Sequence, residues 1–241
     1  MHWLWLAAGV AGLAQGLTGF GFGIVAMAVL TPVLGPKAAN LVVTPLAGMN
    51  IAVGLWAVRR SINWRRALPL CCGGLLGTPL GVQILLHADA LLLRRLVGVV
   101  ILLTAIGSFH AAGKPRATPS REWWGFATGA LGGVTGGAVA MAGPPVVVYA
   151  YRQPWPLRGI KATLLLFFGG TVAARLALLV GRGEYPVSIL GTITSMLPLV
   201  AAATWAGHRL TDRVPRKQVD RVAAALLTIA GVVLLLPPGR P

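Results

Sequence analysis

Two glycine-rich segments carry the residues of this chain that are best suited to bind a ligand. The first, residues 16–23, reads GLTGFGFG and follows Gln15. The second, residues 132–137, reads GGVTGG, and the helix-breaking residues Gly143, Pro144 and Pro145 come soon after it. Glycine breaks helices, and a helix N-terminus leaves free N–H groups at the positive end of its dipole. With the Thr18 and Thr135 hydroxyls and the Gln15 amide, such ends could hold an oxyanion. The alternative is that the glycines only let helices pack closely.

Arg175 is the only charged residue well inside an apolar segment. Ionisable residues at membrane depth are costly and tend to be functional. The planar guanidinium group is suited to binding a sulfonate or a similar anion. The alternative is that the side chain extends to the membrane interface, and the sequence leaves both interpretations open.

Asn50 and Thr171 place polar groups inside the apolar runs 39–58 and 160–181, and they correspond to each other at an offset of 121 residues. They either line a binding site or form hydrogen bonds between helices. The complete predicted substrate-binding set is Gln15, Thr18, Gly19, Phe20, Gly21, Asn50, Thr135, Gly136, Gly137, Thr171 and Arg175.

The acidic residues are placed where they cannot serve such a site. All five lie in predicted loops or at predicted helix ends: Asp89, Glu122, Glu184, Asp212 and Asp220. A cation substrate usually needs an acidic group at membrane depth, so this distribution favours an anion. The four histidines also lie near helix ends, and no catalytic grouping or metal-ligand spacing can be built. We therefore expect no enzyme activity, no cofactor and no metal.

The elements that must position these residues are apolar helices. The chain is 56% hydrophobic and only 11% charged, with a mean hydropathy of +0.77, whereas a soluble domain carries about 25% charged residues. Six apolar runs are long enough to cross the ~30 Å hydrocarbon core of a membrane. These runs are 39–58, 67–86, 90–110, 160–181, 188–207 and 218–236.

The regions 3–34 and 122–151 differ from these runs. Each is too long for one untilted span and contains one of the glycine segments. A 13-residue arm measures about 20 Å, which is less than a full crossing. We therefore predict a re-entrant helical hairpin in each region.

The chain divides into two repeats, 1–112 and 113–241, each with a hairpin followed by three helices. Threonine and glycine positions in the two glycine segments match at an offset of 117 residues. With re-entrant hairpins, 15 loop Lys and Arg residues fall on one side of the membrane and 5 on the other; with eight full spans the division is 11 against 9. The first arrangement obeys the positive-inside rule. Three crossings per repeat invert the halves and place both termini outside, in the periplasm.

The order of motifs resembles the sulfite exporter TauE/SafE family of permeases over essentially the whole chain. The resemblance rests on the segment 16–23, its echo near Gly133, Asn50 before a basic loop, and the segment 77–81, GTPLG. It implies transport of sulfite, organosulfonates or related sulfur compounds across the bacterial inner membrane. It fixes neither substrate nor direction.

These observations predict an all-α integral membrane protein built from two inverted repeats. The leading hypothesis is a secondary transporter that moves a small sulfur-containing anion by alternating access. The alternatives are an anion channel on the same scaffold and a non-transporting membrane assembly subunit. The expected partners are the small anionic substrate and the lipid bilayer, with a homodimer as one candidate assembly. Nucleic acid is not expected despite the net charge of +16, because the basic residues lie in short clusters between apolar runs.

Overall fold

The computed structural model describes residues 2–18, 21–110 and 117–210, and the regular structure in these ranges is entirely helical. The helices are α1 (His2–Thr18), α2 (Phe22–Leu34), α3 (Pro36–Val58), α4 (Trp64–His87), α5 (Ala90–His110), α6 (Glu122–Val139), α7 (Gly143–Tyr151), α8 (Leu157–Gly181) and α9 (Val187–Leu210). Among the described residues, α3, α4, α8 and α9 are long and apolar enough to cross a membrane. The predicted helix 218–236 lies outside the described residues.

Short polar and glycine-containing connections set the helix boundaries. Asn63 precedes α4, and its side chain accepts a hydrogen bond from the Arg66 N–H at 3.3 Å. Asp89 precedes α5, and its carboxylate accepts one from the Leu92 N–H at 2.6 Å. Gly35, with φ of 76°, separates α2 from α3. The Asn63 and Asp89 side chains accept hydrogen bonds from N–H groups that a helix start leaves without a partner, and Gly35 lets the chain change direction between two helices.

Both regions predicted as hairpins consist of two helices with a break between them, but the second break lies later than predicted. The predicted break at 132–137 is wrong, because α6 continues through this segment to Val139. The helix ends where Ala140 adopts a left-handed conformation, with φ of 58°. Proline favours the start of a helix, and α7 begins with a glycine and two prolines. The arms of this second region are therefore unequal, with 18 and 9 residues.

The glycines of 132–137 hold α6 against α4. A Cβ atom on Gly129, Gly133 or Gly137 would clash with the α4 carbonyl oxygen of Leu70, Gly74 or Thr78. The approach is reciprocal, because a Cβ atom on Gly73, Gly77 or Gly81 would clash with carbonyl oxygens of α6. Small residues spaced four apart allow this close approach of helix backbones.

The same packing recurs between α1 and α9. A Cβ atom on Gly16 would clash with the Thr204 carbonyl oxygen, and one on Gly207 would clash with the Leu13 carbonyl oxygen. The His208 Nδ1 atom lies 3.1 Å from the Gly16 carbonyl oxygen. The long helices α3 and α8 pack against each other, and they also contact α9 and α4 respectively. The first helix of each broken region thus packs against a helix from the other half of the chain.

Candidate functional site

A small cavity lies where the two helix breaks meet α3 and α8. Its volume is about 50 Å³, which is room for only a few water-sized groups, since one water needs roughly 10–15 Å³ by this measure. The lining residues are Gln15, Gly21, Phe22, Gly23, Ile24, Thr44, Ala47, Ile51, Gly136, Ala140, Met141, Ala142, Gly143, Phe168, Thr171, Val172 and Arg175. The cavity therefore suits a small molecule or ion.

The two breaks touch each other at the cavity. Gly23, in the first turn of α2, lies so close to the Ala140 carbonyl oxygen that any Cβ atom would clash with it. The Ile24 side chain packs near Gly143, the first residue of α7. The N-termini of two short helices therefore meet at one place, each with the positive end of its dipole toward the cavity.

The two N-termini differ in the donors they offer. Gly21 precedes α2 with φ of 106°, a conformation that favours glycine. First-turn N–H groups have no acceptor within their own helix, and Gln15 Oε1 accepts the one at Phe22 at 2.8 Å. The N–H groups of the next two residues in α2, Gly23 and Ile24, also lie at the cavity wall. In α7 the two prolines after Gly143 carry no N–H, so this helix contributes mainly its dipole.

Arg175 is the charged group of the cavity. It is only 2% exposed, so it does not extend to the membrane interface. Its Nη1 atom donates a hydrogen bond to the Gly136 carbonyl oxygen at 2.8 Å. Among the described residues, its Nε and Nη2 atoms have no hydrogen-bond partner. Since Nε and Nη2 form one edge of the guanidinium group, Arg175 has two neighbouring donors available for a ligand.

The cavity carries positive charge, and none of the described residues that line it is acidic. A buried charge is strongly unfavourable unless it is paired. Arg175 lies beside the C-terminal carbonyl groups of α6, and their dipole offsets part of its cost. A unit negative charge about 4 Å away would contribute roughly 4 kcal/mol at an effective dielectric constant of 20. The charge of the cavity therefore favours a small anion over a cation.

Five predicted site residues come together in this cavity. Gln15, Gly21, Gly136, Thr171 and Arg175 all line it. The Thr171 hydroxyl is 3.1 Å from both the Phe167 and Phe168 carbonyl oxygens of its own helix. Its donor is therefore used within α8, and it can offer a ligand only its oxygen lone pairs.

The other predicted residues lie elsewhere. The Thr135 hydroxyl bonds to carbonyl oxygens of its own helix, and Gly137 packs against α4. Asn50 is 1% exposed, and neither polar atom of its side chain has a partner among the described residues, but it does not line the cavity. The Thr18 side chain, Gly19 and Phe20 lie outside the described residues.

Sequence reasoning missed two buried or half-buried polar residues. Thr44, on α3, lines the cavity, and its hydroxyl donates to the Asn40 carbonyl oxygen at 2.7 Å. Tyr185, between α8 and α9, is half-buried, and its hydroxyl has no hydrogen-bond partner among the described residues. Thr44 could have been found from its position two helical turns before Ile51, since both face the cavity. The position of Tyr185 in a short loop gave no comparable signal.

Comparisons with known proteins agree on one family. The family model described as Sulfite exporter TauE/SafE matches residues 4–234. A protein named "Probable sulfite/organosulfonate exporter TauE", from Cupriavidus necator, is 31% identical over 230 residues, which cover 92% of this chain and 89% of the relative. No solved structure matches the chain significantly.

Proposed function

The chain belongs to the sulfite exporter TauE/SafE family, and from this premise we propose that it is a secondary transporter that moves a small sulfur-containing anion across the bacterial inner membrane. The substrate class is sulfite or a small sulfonate, in line with the name of the Cupriavidus necator relative. The family and the apolar helices are those of a membrane-embedded permease.

The observation that carries this proposal is Arg175, which lines the cavity and keeps two donor atoms, Nε and Nη2, without a hydrogen-bond partner among the described residues. Two donors on one edge match two oxygens of a sulfur oxyanion, and the helix N-termini of α2 and α7 add positive potential at the same cavity. Among the described residues no carboxylate lines the cavity, so the bound anion would be the counter-charge for Arg175. The cavity volume of about 50 Å³ favours sulfite over an extended sulfonate in this conformation.

We propose that transport proceeds by alternating access between two inverted halves. The exchanged packing of α1 on α9 and of α6 on α4 supports two related units that meet at the cavity. Binding sites at the interface of inverted repeats, with broken helices pointing at the substrate, are a common transporter design. In this scheme both termini are periplasmic, and the close glycine contacts keep each broken region attached to a helix of the other half.

A flux measurement on the purified protein in liposomes tests this function. We expect sulfite uptake that saturates with concentration and is accelerated by sulfite on the opposite side, because an alternating-access carrier returns faster when loaded. Sulfate and chloride serve as comparison anions. The Arg182→Gln variant, altered at the exposed residue after α8, is the matched control and should keep the wild-type flux.

Two outcomes would redirect the proposal. Single-channel currents with non-saturating flux would identify an anion channel on the same scaffold. A complete lack of sulfite or sulfonate flux, together with no anion-dependent thermal shift, would favour a non-transporting assembly subunit.

A further inference from the structure

A second pocket lies between the start of α6 and the end of α7. Its volume is about 190 Å³, and it shares no lining residue with the cavity that holds Arg175. Three of its lining residues, Ser120, Arg152 and Gln153, lie just outside the two helices, and the others lie within them. The pocket therefore has one polar end and one wall made by helix side chains.

The polar end is held in place by Gln153. This side chain is only 2% exposed. Its Oε1 atom accepts the Ser120 N–H at 2.9 Å, and its Nε2 atom donates to the Ser120 Oγ at 2.9 Å and to the Tyr149 carbonyl oxygen at 3.3 Å. Its exposed neighbour Arg152 brings a positive charge, and none of the described residues that line the pocket is acidic. An arginine beside such a fixed polar frame is suited to bind a phosphate group.

The apolar wall runs from the polar end toward the middle of the membrane. Pro145 lies seven residues before Arg152, which corresponds to about 10 Å along the helix axis. Val148 lies between them, and Trp124 of α6 lines the same pocket. Trp123 and Trp124 are exposed at the start of α6, and tryptophans are enriched at the level of the lipid headgroups. The polar end therefore lies at the membrane surface, and the wall lies at the depth of the acyl chains.

Further positive charge surrounds the polar end. The Arg66 guanidinium lies 5.5 Å from the centre of the Trp155 ring, which packs edge-on against the pocket-lining Tyr149 at 6.2 Å. Arg121 precedes α6, and its neighbour Glu122 is the one carboxylate close by in the sequence. With the arginine of the pocket, three positive charges stand against one negative charge, all on the side with 15 basic loop residues. The anionic lipids of the cytoplasmic leaflet attract such clusters.

We propose that this pocket binds an anionic phospholipid of the membrane, with its phosphate at Arg152 and an acyl chain along Trp124 and Val148. The apolar wall favours a lipid over a free phosphate ion, because only a lipid removes this wall from contact with water. The lipid contacts the end of α7, and Gly143 at the start of the same helix lines the first cavity. The lipid therefore stabilises the position of a helix that forms the candidate site. This inference does not depend on which anion the protein transports.

Native mass spectrometry of the purified protein in detergent, titrated with phosphatidylglycerol or phosphatidylcholine, measures the affinity for each lipid. We expect tighter binding of phosphatidylglycerol. Arg152→Gln should weaken it by about 5-fold or more, the usual contribution of one basic residue near anionic lipid, and leave phosphatidylcholine within about 2-fold. R152Q should fold, because Arg152 is exposed and lies outside the helices. Arg60→Gln, at an exposed arginine of the same basic side that does not line the pocket, is the matched control and should change neither affinity.

Thermal melts with inorganic phosphate in place of the lipid separate a lipid site from a site for free anions. We expect phosphatidylglycerol, but not phosphate alone, to raise the melting temperature in a way that depends on Arg152. A phosphate-induced rise that R152Q abolishes would identify a free-anion site and overturn the lipid assignment. Unchanged phosphatidylglycerol affinity in R152Q, or an equal loss in R60Q, would also overturn it. A lack of sulfite flux would contradict the proposed function and leave this inference standing.

Discussion

Replacing Arg175 with glutamine is expected to abolish sulfite transport while leaving the folded protein intact. Arg175 is the only charged residue among the described ones that line the cavity, and the substitution removes this charge together with the two donor atoms of its free edge. Loss of a charge interaction of about 4 kcal/mol corresponds to roughly 1000-fold weaker binding, so we expect sulfite affinity to fall at least 100-fold. Calorimetric titration and liposome flux measure the two effects.

The same variant makes a prediction about stability that separates a binding role from a structural one. Arg175 is a buried charge without an acidic partner, and the Gly136 carbonyl oxygen that it contacts also accepts the Ala140 N–H at 3.1 Å. Removing an uncompensated buried charge is neutral or stabilising. The anion-free protein should therefore melt at the same or a higher temperature, whereas sulfite should no longer raise its melting temperature. Retained sulfite affinity within about 3-fold would contradict the assignment of Arg175 to the site.

Lysine at position 175 gives the matched comparison. It keeps the positive charge but lacks the two-pronged edge. We expect R175K to bind sulfite more tightly than R175Q and at least about 10-fold more weakly than the wild type. Equal binding by the lysine variant and the wild type would show that charge alone, without the donor edge, accounts for the site.

Replacing Gly133 with alanine is expected to cause a large loss of stability. The new Cβ atom would meet the backbone of Gly74, which cannot rotate away as a side chain could. Overpacking costs about 1–3 kcal/mol and occasionally more, and a backbone contact places this site at the upper end. The free energy of unfolding in mixed detergent, followed by circular dichroism, should fall by about 3 kcal/mol.

Gly191 supplies the control for this substitution. It lies in α9 on an exposed face, and a Cβ atom there would meet nothing within 4 Å. Gly191→Ala should stabilise the protein by about 0.5–1 kcal/mol, because alanine has the higher helix propensity. If G133A is as stable as G191A, α4 and α6 do not pack as described.

The long helices could be predicted from hydropathy alone because their apolar runs have no competing signal. The described helices α3, α4, α8 and α9 cover the runs identified in the sequence and extend them by up to a few residues at each end. The second helix break could not be placed, because glycine both breaks helices and permits close packing. Contact with α4 decided between these effects for Gly133 and Gly137, and only the tertiary structure contains that contact.

The residues of the candidate site were also only partly predictable from the sequence. Gln15 and Arg175 were accessible to sequence reasoning because a polar or charged residue in an apolar segment is unusual. Whether such a residue faces the cavity depends on helix rotation, which hydropathy does not fix: Thr44 lines the cavity, and Asn50 on the same helix does not. Tyr185 buries its hydroxyl from a loop, and loop positions carry no periodic signal from which that could be inferred.

We propose that the cavity between the two helix breaks binds a small sulfur oxyanion through the free edge of Arg175. The most direct test is the anomalous-diffraction structure of crystals grown with selenite, the selenium analogue of sulfite. We predict one selenium peak inside the cavity, with two selenite oxygens about 2.7–2.9 Å from Nε and Nη2 of Arg175. An empty cavity in crystals that show selenium bound at another position in the protein would contradict the account.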